Sequence, residues 1–205
     1  MEIMVHRGLL VAVSGPSGTG KGTVIKALRE KNNNITLLPS ATTRSPRYGE
    51  KDGVNYYFKS RDEFLKMIKN GEFVEWVEYC GNLYGTPAKQ LNESLEMGLD
   101  VVLEKEVDGV LKIKKAYPDS VSVFILPPSF DELKRRIQGR GTETAEAIQK
   151  RLDRALEEMK YAVDYDYIVV NDFIESASNA VNCIINAEKL RTKRNCDIIK
   201  LIISE

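Results

Sequence analysis

The most constraining stretch of this 205-residue chain is Gly15-Pro16-Ser17-Gly18-Thr19-Gly20-Lys21-Gly22-Thr23. The apolar run Leu9-Leu10-Val11-Ala12-Val13 precedes it and reads as a strand, and Val24-Ile25-Lys26-Ala27-Leu28 follows and reads as a helix. Glycines let a backbone bend until its N–H groups face an anion, and a helix N-terminus adds a positive partial charge. Lys21 supplies a full charge where the β- and γ-phosphates of a nucleoside triphosphate would lie. The spacing is that of a P-loop with one departure. The pattern asks for Ser or Thr after the lysine, whereas here Gly22 stands there and Thr23 follows. The hydroxyl that usually meets magnesium is thus missing or displaced by one residue. A turn that merely caps a helix has no need of the lysine, so the stretch predicts a nucleotide phosphate site.

Charge and cysteine content narrow the remaining classes. Lys+Arg and Asp+Glu both total 30, so no global positive field recruits nucleic acid or a membrane surface. Cys80, Cys183 and Cys196 are odd in number and far apart, which fits neither a disulfide framework nor zinc-ligand spacing and suggests a reducing, cytoplasmic setting. No signal-peptide pattern is expected at the start, and the late run Ile198 to Ile203 is too short to span a bilayer. His6, the only histidine, lies before the first strand and disfavours histidine-based catalysis.

Along the chain, short apolar strands alternate with helical patterns. Strands are expected at 9–13, 35–38, 73–79, 100–104, 121–126 and 167–170, and helices near 22–31 and 175–193 and through Lys115. Ser60 with Glu63, and Ser129 with Glu132, read as capping boxes. The first opens a helix with Phe64, Leu65 and Ile68 on one face. Thr86 at the cap and Pro87 at the first position predict another helix, ending near Met97. Ile148, Leu152, Ala155, Leu156 and Met159 form one stripe of a further helix, with Arg151 at its edge. The alternation argues for an α/β fold, a parallel five-stranded sheet with helices on both faces and ligands at the carboxyl ends of its strands. The polar, tyrosine-rich block 40–97 interrupts the rhythm as an inserted mixed α+β substrate-binding unit, and 136–156 reads as a helical lid. The remaining segments 1–39, 98–135 and 157–205 form the core of a single domain.

Two features of the inserted block carry chemistry. Arg44 and Arg47 flank Ser45-Pro46, and two guanidiniums so close repel unless an anion lies between them, which suits phosphate. Tyr56 and Tyr84 can each offer a hydroxyl to the same group. Alternation in the 73–79 strand puts Glu75 among apolar neighbours. Ionised carboxylates only accept hydrogen bonds, and guanine presents N1–H and 2-amino donors where adenine presents an acceptor. A pocket built from Glu75 and Glu106 therefore favours guanine, although Glu106 reads equally well as an exposed residue at a strand end.

Taken together, Gly15 to Thr23, Ser40-x-Thr-Thr-Arg44-x-x-Arg47-x-Gly49-Glu50-x-x-Gly53-x-x-Tyr56, Gly71-Glu72-Phe73-x-Glu75-Trp76, Tyr84-Gly85-Thr86, Gly139-Arg140-Gly141-Thr142-Glu143-Thr144 and Val170-Asn171-Asp172 resemble guanylate kinase, from about Arg7 to Leu190. The resemblance implies that Arg44, Arg47, Tyr56 and Tyr84 hold the GMP phosphate, and that Ser40, Glu75, Thr86 and Glu106 read or position guanine. It implies that Gly15, Pro16, Ser17, Gly18, Thr19, Gly20, Lys21, Gly22 and Thr23 hold the ATP phosphates, with Arg136 nearby and Asn171 close to adenine. Lys21, Arg44, Arg140 and Arg151 would act on the transferring phosphoryl group, with magnesium held largely through water. GMP and ATP are then the partners of a monomer or homodimer.

The family commonly has Glu-Ile-Asp-Val-Gln-Gly where this chain has Glu104-Lys105-Glu106-Val107-Asp108-Gly109, so Lys105 and Asp108 depart from it. Two alternatives stand beside a GMP kinase. One is a kinase for another small phosphate acceptor on the same core. The other is a non-catalytic guanylate-kinase-like module that binds phosphopeptides, which the intact Lys21 and loop glycines disfavour.

Overall fold

A computed structural model describes residues 7–139 and 144–203. In chain order its strands are β1 (Leu10–Ser14), β2 (Ile35–Thr36), β3 (Ser40–Thr42), β4 (Tyr56–Phe58), β5 (Phe73–Tyr79), β6 (Asn82–Pro87), β7 (Asp100–Glu104), β8 (Val121–Leu126) and β9 (Tyr167–Val170). Its α-helices are α1 (Lys21–Lys31), α2 (Arg61–Lys69), α3 (Ala88–Glu96), α4 (Val107–Ala116), α5 (Phe130–Gln138), α6 (Ala145–Lys160), α7 (Ile174–Lys189) and α8 (Thr192–Ile203). Five strands form an all-parallel sheet in the order β2-β7-β1-β8-β9, and four form a mixed sheet in the order β4-β3-β6-β5.

β1 is the central strand of the parallel sheet and is buried along its whole length. Side chains of a strand alternate between faces, so a continuous apolar run serves two layers at once. Leu9, Val11 and Val13 pack with Val24, Ile25 and Leu28 of α1 and Val181 and Ile185 of α7. Leu10 and Ala12 pack on the opposite side with Leu91 and Leu95 of α3 and Val110 and Ile113 of α4.

At the amino edge of this sheet lies Asp100, a carboxylate with no solvent exposure. It accepts from the Leu9 N–H at 3.0 Å and from Asn34 Nδ2 at 3.3 Å, and it pairs with the Lys189 ammonium of α7. One acid thus ties the start of β1, β7, the turn between α1 and β2 and the last turn of α7 together.

Several local expectations shift in the structure. Ser60 and Glu63 close a full capping box, but only half of the second one forms: Ser129 accepts from the Glu132 N–H, while the Glu132 carboxylate turns to Arg135 and Arg136. Thr86 is not a helix cap. It pairs with Glu75 across β5 and β6, where its hydroxyl meets that carboxylate, and the helix starts later at Ala88. Leu65 and Leu156 are exposed, because each follows a buried neighbour by one residue and so lies about 100° around its helix. The expected 175–193 helix is two helices, α7 and α8, parted at Leu190 and Arg191. Among the described residues no helix is long and apolar enough to cross a membrane.

Asp100→Ala removes the acceptor of a buried N–H and leaves Lys189 without its carboxylate. Urea unfolding is expected to show a loss of roughly 2–4 kcal/mol; a loss under about 1 kcal/mol would show the ion pair to be dispensable.

Candidate active site

The phosphate loop leaves β1 at its carboxyl end and runs into α1. The first bond of that helix is donated by the Val24 N–H to the Gly20 carbonyl at 3.0 Å, which leaves the amides of 21–23 at the helix's open end. Gly20 adopts a left-handed φ of 84°, and a Cβ there would sit 2.6 Å from Asn171 Nδ2. That amide donates to the Thr19 carbonyl at 2.7 Å, pinning the loop from the end of β9. Lys21 Nζ is bound by the loop's own Gly15 and Pro16 carbonyls, the latter at 3.2 Å. From the other side Arg151 of α6 donates to Ser17 Oγ at 2.7 Å, so the expected lid arginine does reach the loop. Arg140 lies outside the described residues.

Next to the loop a cavity of about 570 Å³ is lined by Gly20, Thr23, Arg136, Asn171, Asp172 and Phe173, among others. Arg136 is held at its rim: Nε donates to Glu132 at 2.7 Å, and a terminal nitrogen donates to the Asn171 carbonyl at 3.0 Å. Glu132 also takes two bonds from Arg135, and these donors pull its carboxyl down to about 2.

Across the carboxyl end of the sheet, the mixed sheet presents a second set of groups. Arg44 lies 5.3 Å from the centre of the Tyr56 ring, and the Tyr56 and Tyr84 rings meet edge to face at 6.2 Å. The structure therefore brings Arg44, Tyr56 and Tyr84 together. The anion expected between the two arginines is supplied by the protein itself: Glu50 binds Arg44 through both oxygens at 2.8 and 2.9 Å and accepts from the Arg47 N–H at 2.7 Å. Arg44 and that amide hold the Glu50 carboxyl below the usual carboxylate range, and Glu50 raises Arg44 in turn. The Arg47 guanidinium itself is exposed.

The pocket deeper in the mixed sheet is built around Glu75, only 4% exposed. Glu75 Oε1 accepts from Thr86 Oγ1 at 2.7 Å and pairs with Lys105 Nζ at 2.8 Å, and Lys105 also donates to Ser40 Oγ at 3.2 Å. Ser40, Glu75 and Thr86 are thus one cluster, joined by Lys105. Glu106 is not in it. Consecutive residues of the extended link after β7 point opposite ways, so Lys105 faces Glu75 while Glu106 faces Arg154 of α6, at 3.1 Å and with its side chain 69% exposed.

One acid escaped the sequence reading. Glu104 ends β7 on the cleft floor, where a Cβ on Gly22 would lie 3.4 Å from its Oε2. It keeps contact with solvent, and its side chain makes no hydrogen bond or ion pair among the described residues. The surrounding protein pushes its carboxyl up, with Lys21 opposing that shift. Such an uncommitted oxygen donor suits a hard divalent cation that keeps most of its waters. Among the described residues no group of three or more His, Cys, Asp or Glu could hold a metal, so the remaining ligands would come from phosphate and water. An apolar strand ending in an acid beside a phosphate loop was the signal that could have found it.

Two measurements test this geometry. Gly20→Ala forces a side chain into left-handed backbone and against Asn171, so it is expected to cost about 2–3 kcal/mol, and Gly20→Ala with Asn171→Ala about 1 kcal/mol less than the sum of the single changes. Strict additivity would mean that the contact carries no strain. By NMR the Glu132 carboxyl is expected to titrate near 2. Because that value is depressed, the ion pairs stay intact at higher pH and are lost only as pH falls through about 2; a midpoint near 4.5 would mean that they do not form in solution.

Comparison with known proteins agrees with this architecture. Residues 7–188 match the family model of guanylate kinase. The guanylate kinase of Halalkalibacterium halodurans is 50% identical over 189 residues, covering 92% of this chain and 93% of that one. That of Lactococcus lactis is 51% identical over 191 residues, covering 93% of each chain. The crystal structure of guanylate kinase from Anaplasma phagocytophilum superposes with a TM-score of 0.72 at 35% identity, covering 92% of this chain and 90% of the other. With a P-loop, a matching fold and this similarity along nearly its whole length, the chain belongs to the guanylate kinase family and is a kinase.

Proposed function

We propose that the protein transfers the γ-phosphoryl group of ATP to GMP, giving ADP and GDP, in the cytoplasm. The observation that supports this reading is a single cavity that joins the phosphate loop to the mixed sheet. Gly22 of the phosphate loop, Glu104 and Lys105 line it together with Ser40 and Tyr56 of the mixed sheet, and Arg44 and Tyr84 pack around Tyr56. A phosphate-holding set next to a base-reading set describes a nucleoside monophosphate, and the loop describes the donor.

In this reading ATP lays its phosphates along the loop amides, with its base in the cavity beside Asn171 and Arg136. GMP places its phosphate on Arg44, Arg47, Tyr56 and Tyr84. An oxygen of that phosphate attacks the γ-phosphorus, the bond to the bridging oxygen of ADP breaks, and the electron pair leaves with ADP. The attacking oxygen is already ionised, so no general base is needed. Catalysis is then positioning and charge neutralisation, supplied by Lys21, Arg151 and the acceptor arginine. Magnesium, with Glu104 as its protein contact through water, would neutralise phosphate charge. The segment 136–156 would act as the lid that excludes water, and 40–97 as the acceptor unit.

A coupled assay of ADP release with ATP and magnesium, offering GMP, AMP, UMP and CMP separately, tests the reading. Turnover is expected with GMP and far less with the others. Comparable turnover of AMP would keep the kinase and reassign the base pocket, whereas no turnover with any of the four would overturn the reading. Arg44→Ala is expected to lower kcat/KM for GMP by roughly 10²- to 10³-fold, and a near-wild-type value would remove Arg44 from the mechanism. Glu104→Gln is expected to raise the magnesium concentration needed for half-maximal rate several-fold; an unchanged requirement would exclude Glu104 as a metal contact.

A further inference from the structure

Lys105, one of the two departures from the family pattern, occupies a position of consequence. It lies in the link between β7 and α4, and its backbone N–H donates to the Val13 carbonyl at 3.0 Å, so its root is fixed to the central strand. Its side chain crosses to the mixed sheet, with Nζ 2.8 Å from Glu75 Oε1 and 3.2 Å from Ser40 Oγ. Gly109, in the first turn of α4, makes the crossing possible: a Cβ there would stand 3.2 Å from Lys105 Cβ and 3.8 Å from Glu75 Oε2.

The hydrogen-bond capacity of this cluster is only partly used. An ammonium has three donors and no acceptor. Ser40 takes one of them in a hydrogen bond, and Glu75 Oε1 meets the ammonium as an ion pair, so donor capacity remains at Nζ among the described residues. Because Ser40 Oγ accepts from Lys105, its own proton is directed elsewhere. Glu75 Oε1 is engaged by both Thr86 and Lys105, whereas Oε2 accepts no hydrogen bond among the described residues. The cluster thus offers a charged donor immediately beside a charged acceptor.

That order is the complement of one purine edge and the reverse of another. A 6-oxopurine presents an acceptor, O6, next to a donor, N1–H. Adenine presents a 6-amino donor next to the N1 acceptor, which would set donor against ammonium and lone pair against carboxylate. We propose that Lys105 is a specificity-determining residue of the base pocket, donating to O6 of a 6-oxopurine nucleotide while Glu75 Oε2 accepts from N1–H. The proposal rests on the reading of this pocket as the GMP base site. It gives the 6-position its own charged reader, in addition to the carboxylate that meets the N1 side. The same ammonium also balances the charge of Glu75, which would otherwise be buried without a counter-ion.

The test combines a change of residue with a change of one substrate atom. 6-Thio-GMP keeps N1–H and the 2-amino group and replaces O6 with sulfur, a weaker acceptor. The wild-type protein is expected to bind it roughly 10- to 100-fold more weakly than GMP, the range of a hydrogen bond to a charged group. In K105M, checked by circular dichroism and thermal melting, GMP binding falls by a similar factor and the gap between the two nucleotides closes to within about threefold. Steady-state kcat/KM for GMP and IMP then drop together while that for AMP does not, so the preference for GMP over AMP shrinks. A Lys105 that merely held Glu75 in place would weaken both nucleotides and leave the thio gap open. That outcome, or equal wild-type affinity for GMP and 6-thio-GMP, overturns the proposal. If K105M does not fold, K105Q provides the same cycle, since its neutral amide must narrow the gap. A wild-type protein that neither binds nor turns over GMP would instead overturn the underlying reading of the site.

Discussion

The structure depends first on the burial of β1 on both faces. A strand sealed between two helical layers has no freedom to slip, because a shift of one residue would exchange the side chains that face α1 and α7 with those that face α3 and α4. The loop that follows β1 therefore emerges at a defined height and direction, and the open end of α1 is aimed by the same packing. Asp100 reinforces this from the far edge by holding the Leu9 backbone and Lys189 at once. The phosphate loop turns at glycines in left-handed backbone, and its two ends are anchored in the buried core formed by β1 and α1.

Charge is organised locally around that anchor. The whole chain is balanced, with 30 basic and 30 acidic residues, but the cleft is not a uniform positive surface. Arg44 has Glu50, Arg136 has Glu132, Lys105 has Glu75, and Arg154 has Glu106. Each carboxylate restrains a flexible cation to a narrow range of positions, so less side-chain entropy is lost when a phosphate or base arrives. Each also gives an entering anion a competitor for the same guanidinium, which favours ligands that offer several oxygens in the right geometry. In the proposed reaction, selectivity for a phosphorylated purine would follow from arrangement more than from net attraction.

Much of the parallel sheet was legible from the chain alone. Continuous apolar strands alternating with helices carry their own signal, and the glycine-lysine loop marks which strand end the ligands approach. The Ser60 and Glu63 box and the strands at 100–104, 121–126 and 167–170 appear at the expected places, because local hydrogen bonding and hydrophobic pattern suffice to specify them. Misreadings arose where a side chain had a choice of partner. Thr86 could cap a helix or bond Glu75, and Glu132 could complete a box or hold two arginines; in each case a partner distant in space, or more highly charged, won.

Composition and motif by themselves determined the α/β class, the position of the phosphate loop and the residue types available to meet phosphate. They did so because a P-loop is contiguous, and its chemistry needs only a strand, glycines, a lysine and a helix start in order. Only the tertiary structure decided which acids and cations face one another. Glu104, Lys105 and Glu106 are neighbours in the chain, yet the first looks onto the loop, the second onto Glu75 and the third onto Arg154. The physical reason is that an extended backbone sends successive side chains to opposite sides, and what each meets there is set by elements folded in from 30 to 82 residues away.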